Sequence, residues 1–376
     1  MQKRVMISVT SDIVTDQRVL RTVELIRKSG SDIIVIGRRL PVSPECDALP
    51  FRCIRYQMTF NKGFLFFKFF NIRLLFTLLK HRADLLVAND LDTLLPNYIV
   101  SVIKGIPLVY DAHEYYTGTP SLENRPFVRG VWKFLERMII PGLKYMITVN
   151  DSIATLYNQE YGIEPVVMHN YSRHFTGTAT SRDELGIPME DLLCVLQGTG
   201  INRGRGGEEA INALLHVEGV HLLIIGRGDS LKEMRSMVLD LTLTDRVTFL
   251  PVMMWEDMMC HTAMCDAGLS LDDSSSTNSR LSLPNKIFDY MEAGLAIIAT
   301  DLPEVSSVIN TAGCGIVIAG NSAAEIAYAM RQLRDNPSML KQFKDNGVAG
   351  RSAWSRESEE QRVRELYIFS PEPDIK

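Results

Sequence analysis

A surplus of basic charge is the first thing this sequence lacks. Lysine and arginine number 40 against 45 aspartates and glutamates, a formal net charge of -5. A chain that tracks nucleic-acid phosphates needs cations in excess, so no nucleic-acid partner is expected. Cysteine is also scarce, six in 376 residues, and none forms a CxxC pair. Cys46, Cys53, Cys194, Cys260, Cys265 and Cys314 therefore read as reduced thiols in a chain with an adequate core. The nearest two, in "CHTAMC" at 260–265, lack zinc-ligand spacing, and no metal is expected. The opening "MQKRVMISVTSD" runs straight into a strand pattern, with no apolar leader and small-residue cleavage site, which predicts a cytoplasmic location. Long low-complexity tracts and short-period repeats are missing too. What remains is a globular composition, 46% hydrophobic and 23% charged with mean hydropathy close to zero, and enough length for two domains.

The pattern that is present alternates short apolar runs with helical spacing. "RVMISVTS", "DIIVIGR", "ADLLVAND", "PLVYDAHE" and "YMITVN" read as strands, with helices between them such as "DQRVLRTVELIRKSG". Continuous apolar strands joined by helices predict a parallel sheet covered on both faces. A polar, Ser/Thr-rich stretch at 169–187 reads as a linker. The alternation then restarts with "LLCVLQG", "VHLLIIGRG", "VTFLP", "AGLSL", "AIIAT" and "GIVIA". The expected domains are 1–172, 173–352 and a charged C-terminal helix, 353–376, packing back on the first domain. Such sheets bind ligands beyond their strands' carboxyl ends, so a cleft between two doubly wound domains is the expected site.

Three segments carry candidate chemistry. In "LPNKIFDYMEAGLAIIAT" (283–300), Pro284 suits a first helical turn and Gly294 a C-cap. Ile287, Phe288 and Met291 form the buried stripe, leaving Asn285, Lys286 and Asp289 on the other side. A helix start with a lysine favours a phosphate, and Asp289 one turn on can accept from two neighbouring hydroxyls of a ribose or sugar. A solvated Lys–Asp pair is the plain alternative. "LQGTGINRGRGGEEAINA" places Gly198 and Gly200 after a strand, with Arg203 and Arg205 as guanidinium forks for a diphosphate; its spacing is one residue too long for a dinucleotide fingerprint. In "IIGRGDS", Gly226 permits close ligand approach or simply a strand-exit turn.

In the first half, "VYDAHEYYTG" sets His113 at a strand end between Asp111 and Glu114, as a general base or a donor to a phosphate. Ser11, Asp12 and Asp16 follow the first strand. Asp90 and Asp92 in "ANDLDT" are spaced like metal ligands but equally like a helix cap. The segment 61–82, "NKGFLFFKFFNIRLLFTLLKHR", has five Lys or Arg and no acid. It is too interrupted to span a bilayer, and reads either as a membrane-surface helix or as a core helix of the first domain.

"DQRVLR", "VYDAHE", "RGRGGEEAINA", "LLIIGRGD" and above all "PNKIFDYMEAGLAIIATDLPE", in this order over nearly the whole chain, resemble the family 4 glycosyltransferases of GT-B fold. The resemblance implies two Rossmann-like domains facing a central cleft. It also implies a nucleoside-diphosphate sugar as donor, held mainly by the second domain, with retention of anomeric configuration and no metal or other cofactor. On this likeness Arg205, with Arg203 nearby, and Lys286 hold the donor diphosphate, and Asp289 takes the ribose. His113 faces the transferred sugar, Leu250 to Val252 meet the base, and Ser11 and Asp12 face the acceptor. The chain departs from the family pattern in two places: Leu281 stands where a glutamate is usual, and the glycine pair after the first strand is absent. The expected acceptor is a lipid-linked or envelope glycan, reached at the inner face of the cytoplasmic membrane. The rivals are a nucleotide-sugar 2-epimerase, a nicotinamide oxidoreductase and a non-catalytic nucleotide-sugar-binding protein.

Overall fold

The computed structural model describes residues 2–14, 16–41, 43, 45–46, 49–354 and 356–368. Residues 355 and 369–376 of the expected C-terminal helix therefore lie outside the described residues. The chain divides into two compact units. One comprises the residues up to His169 together with those from Glu359 onward, and the other is Asn170–Ser358.

The first unit contains β1 (Arg4–Asp12), β2 (Asp32–Arg39), β3 (Arg52–Gln57), β4 (Leu85–Asn89), β5 (Leu108–Asp111), β6 (Tyr145–Thr148) and β7 (Val166–Val167). They form one parallel sheet in the order β3-β2-β1-β4-β5-β6-β7. The second unit contains β8 (Leu192–Gly198), β9 (Val220–Gly226), β10 (Val247–Leu250), β11 (Ala267–Ser270), β12 (Ala296–Thr300) and β13 (Gly315–Ile318). Their order, β10-β9-β8-β11-β12-β13, repeats the first six strands of the other sheet, again all parallel. Both units are thus doubly wound Rossmann-like folds, as the strand pattern predicts.

The sequence produces these sheets because the inner strands carry apolar residues on both faces. All five residues of β4 and of β12 are buried. Along β8 the two faces separate by alternation. Leu192, Cys194 and Leu196 enter one core cluster, while Leu193 and Val195 enter another on the opposite side. In each sheet the direction of winding reverses once, between β1 and β4 and between β8 and β11. At such a reversal the loops leave in opposite directions and open a crevice at the strands' carboxyl ends.

The helix Arg356–Ile368 returns to the first unit. Val363 and Tyr367 join the core cluster of Val5, Val19 and Val23. Glu359 accepts from the His169 backbone N–H at 2.9 Å and meets its Nδ1 at 2.5 Å. The basic, aromatic segment forms the helix Gly63–Lys80, which buries Phe66, Phe70, Leu74 and Leu78. Among the described residues, no helix is long and apolar enough to cross a membrane.

Candidate functional site

In the second unit, the loop after β8 leads into the helix Gly207–Ala213, and the loop after β11 carries Asp272. Asp272 is 1% exposed. Arg205 Nη1 donates to its Oδ1 at 2.6 Å, and Lys286 Nζ lies 3.2 Å from its Oδ2. The Asp272 backbone carbonyl accepts from the Thr300 hydroxyl at 2.6 Å, which ties the loop to the end of β12. Burial alone would raise the Asp272 carboxyl, but Lys286 and Arg205 hold it below the usual carboxylate range. Two cations, one from the loop after β8 and one from a helix start, therefore converge on one buried anion at the reversal point of the sheet. Lys286 opens the helix Lys286–Ala293, whose preceding residue Asn285 is exposed. Gly294 closes that helix at φ +72°, as its C-cap role requires.

Other expected donor residues are placed differently. Arg203 is 87% exposed, its nearest acid being Glu233 at 3.6 Å, and it does not join Arg205 and Lys286 at Asp272. Gly198 ends β8, and its carbonyl accepts from the Arg227 N–H at 3.1 Å. Gly226, at φ +137°, packs so closely on that carbonyl that a Cβ would overlap it. The glycine there serves the fit of two loops, whatever else it meets. Leu250 ends β10 and packs against one core cluster, while Val252 beyond it is exposed. Asp289 is buried and does not pair with Lys286. Its Oδ1 accepts from the Ser172 hydroxyl at 2.6 Å and the Trp255 indole at 3.1 Å, and its Oδ2 from Gln197 Nε2 at 3.4 Å. Lys286 and Asp289 share a helix yet anchor different elements. Asp272, in "LDDSSS", was not among the candidates read from the sequence. The signal that could have found it is its place just past the fourth strand of a doubly wound sheet.

In the first unit the ends of β1, β4 and β5 bring together a second group. His113 Nδ1 lies 3.3 Å from Asp90 Oδ2, its Nε2 lies 3.1 Å from Asn89 Oδ1 and 3.7 Å from Asp111 Oδ2, and its backbone N–H donates to Asp90 Oδ1 at 3.0 Å. Burial would depress the imidazole, but Asp90 and Asp111 outweigh it and push its pKa up to about 9. The carboxylates on both sides thus favour the protonated ring, and each ring nitrogen has a side-chain oxygen within about 3.3 Å. Asp111 is held below the usual range against its own burial, chiefly by Arg18, whose Nη2 donates to it at 2.6 Å. Asp90 adopts φ +59°, ψ 164°, a conformation essentially reserved for glycine. This costs about 1–3 kcal/mol, and it aims the carboxylate at His113.

Asp92 accepts from the Thr10 hydroxyl at 2.6 Å, and burial, then Asp90, push its pKa up to about 7. Ser11 donates to Asp16, the N-cap of the helix Gln17–Arg27, and Asp12 is buried, accepting from the Val14 N–H at 3.2 Å. Among the described residues, no three His, Cys, Asp or Glu side chains group as metal ligands.

Known proteins match this chain in both units. The model of Glycosyltransferase Family 4 covers residues 16–171, and that of Glycosyl transferases group 1 covers residues 200–349. Lipopolysaccharide core biosynthesis glycosyltransferase LpsD of Rhizobium meliloti is 25% identical over 182 residues, 48% of this chain and 50% of that protein. Chitobiosyldiphosphodolichol beta-mannosyltransferase of Candida albicans is 22% identical over 245 residues, 60% and 53% respectively. The chain spans about half the length of the curated relatives it matches. Among solved structures, sucrose-phosphate synthase from Thermosynechococcus elongatus superposes with a TM-score of 0.78 at 16% identity, covering 97% of this chain and 98% of that one. WaaG, a glycosyltransferase involved in lipopolysaccharide biosynthesis, gives 0.76 at 15% identity over 97% and 100%. Anabaena Alr3699/HepE in complex with UDP and glucose gives 0.76 at 17% over 97% and 99%. At these identities the structural likeness is one of fold, and the fold is GT-B.

Proposed function

We propose that this chain, which belongs to the family 4 and group 1 glycosyltransferases, moves a sugar from a nucleoside-diphosphate sugar to a hydroxyl acceptor. The observation that carries the reading is the convergence of Arg205 and Lys286 on the buried Asp272. As the bond from the sugar to the diphosphate breaks, negative charge builds on the departing phosphate. Two preorganised cations stabilise that charge more than they stabilise the ground state. Asp272 holds both cations in place, and on donor binding the diphosphate shares them. No metal ion enters this scheme, because the side chains supply the positive charge.

Transfer is proposed to retain the anomeric configuration, with the departing phosphate taking the acceptor proton on the face it leaves. UDP is the first nucleotide to try, since a solved protein of the same fold holds it. The acceptor is proposed to be a lipid-linked or envelope glycan. One relative of about half coverage is named for lipopolysaccharide core biosynthesis, and the helix Gly63–Lys80 suits work at the inner face of a membrane.

A thermal-shift panel of UDP, GDP, ADP, CDP and NAD tests the donor class. A ligand at a hundred times its dissociation constant stabilises by about 2.7 kcal/mol, and one nucleoside diphosphate is expected to do so. A response to NAD alone would overturn the reading. With the donor identified, Arg205→Ala and Lys286→Ala are each expected to lower turnover by about a hundredfold or more. Wild-type rates in both variants would remove these residues from the chemistry. The anomeric coupling constant of the product, read by NMR, decides retention, and donor epimerised without an acceptor would select the 2-epimerase instead.

A further inference from the structure

The first unit carries two helices whose apolar residues face outward. On Gly63–Lys80, the stripe opposite the buried one is Leu65, Phe69, Ile72 and Phe76, all exposed. On Pro126–Ile139 the exposed stripe is Phe127, Val131, Phe134 and Met138, with Phe127 84% and Phe134 64% exposed. Both stripes run i, i+4, i+7, i+11, so each forms a continuous ridge along its helix. The helices touch where Phe67 meets the Trp132 ring edge-on at 5.6 Å.

The second helix is inverted relative to an ordinary surface helix. Its polar side faces inward, where Glu136 is fully buried and accepts from the Thr117 hydroxyl at 3.0 Å and the Tyr161 hydroxyl at 2.7 Å. Arg129 donates to the Thr117 carbonyl at 2.8 Å on the same side. With Glu136 and Arg129 committed to the protein, the helix offers the surroundings its apolar ridge and the exposed Arg137. Water is a poor partner for two such ridges, and exposed apolar patches of this kind mark docking surfaces.

The charge around the ridges chooses the partner. Lys62, Lys68, Lys80, Arg125 and Arg137 are exposed on or beside these helices, Gly63–Lys80 contains no acid, and the one acid of Pro126–Ile139 is the buried Glu136. A cationic rim repels a second copy of itself, whereas it is attracted to phosphate headgroups while the ridge enters the acyl boundary. We propose that these two helices together form a docking surface for an anionic lipid bilayer. The surface extends the basic segment 61–82 to a second helix that its sequence did not single out, and it stands whether or not the transfer reading holds.

Co-sedimentation with vesicles of phosphatidylcholine containing phosphatidylglycerol, against phosphatidylcholine alone, tests the proposal on the full chain. Wild type is expected to bind the anionic vesicles and to release as salt is raised. Phe69→Ser with Ile72→Ser, and separately Phe127→Ser with Phe134→Ser, are each expected to weaken partitioning by at least about tenfold, because each removes two large side chains from the contact. Because all four residues are exposed, the variants are expected to keep the wild-type melting temperature, which shows that loss of binding is not loss of fold. Failure of wild type to bind, or unchanged binding in the Phe127/Phe134 variant, would overturn the two-helix surface. A wild-type dimer that becomes monomeric in the variants, with no lipid effect, would make the face a self-association interface and overturn it equally. The UDP thermal shift of the same samples reports separately on the nucleotide site.

Discussion

His113 sits between Asp90 and Asp111 with its pKa at about 9, against an ordinary 6.5. A raised folded-state value means that the imidazolium stabilises the fold fully below pH 6.5 and ceases to do so as pH climbs through 9. At pH 7 the contribution is on the order of 2–3 kcal/mol. His113→Gln is therefore expected to melt below wild type at pH 6–7, with the gap closing by pH 10. Thermal melts across that range check it, and a gap independent of pH would mean a neutral ring. Asp92 titrates near 7 in the same neighbourhood, so the comparison is made between wild type and variant at each pH. Single residues were also where the sequence was least legible. Nothing in "LDDSSS" distinguishes the buried Asp272 from Asp273. The partners of Asp289 lie 117, 34 and 92 positions away, and no helical spacing could announce them.

Elements were more legible, for a physical reason. A strand buried along its length writes itself as an apolar run, as β4, β5, β8, β9, β11 and β12 do, and the partly buried edge strands β10 and β13 still carry apolar residues enough to be read. β3 reads "RCIRYQ", with two arginines and a single buried residue, and so loses the signal; β7 has two residues, too few for any pattern. The helix Gly63–Lys80 drew two readings because it has two apolar faces, one turned into the core and one outward. Loops were legible by residue type but not by purpose, as Gly226 shows. Gly226→Ala is expected to destabilise the protein by about 2 kcal/mol or more, since the new Cβ meets backbone that cannot move without parting the loops after β8 and β9. The same substitution is expected to weaken nucleoside-diphosphate binding by displacing Arg205. Melting and titration calorimetry measure the two effects, and a variant as stable as wild type would show that the loops have slack.

On the scale of the molecule, the two sheets share a strand order, and each reverses at the point where its candidate residues gather. Every residue assigned to the donor's nucleoside diphosphate lies within Asn170–Ser358. That stretch, expressed alone, is expected to fold and to keep its thermal response to the nucleoside diphosphate that the full chain prefers. Loss of that response in a folded fragment would mean that the first unit supplies part of the nucleotide affinity.

The return of Glu359 to His169, and of Val363 and Tyr367 to the first core, has a consequence for biosynthesis. A ribosome delivers the second unit as one uninterrupted stretch, whereas the first unit waits for a helix encoded some 190 codons after the rest of it. The later-made unit can therefore close before the earlier one is complete. Until that helix emerges, the nascent first unit shows part of its core to the chaperones.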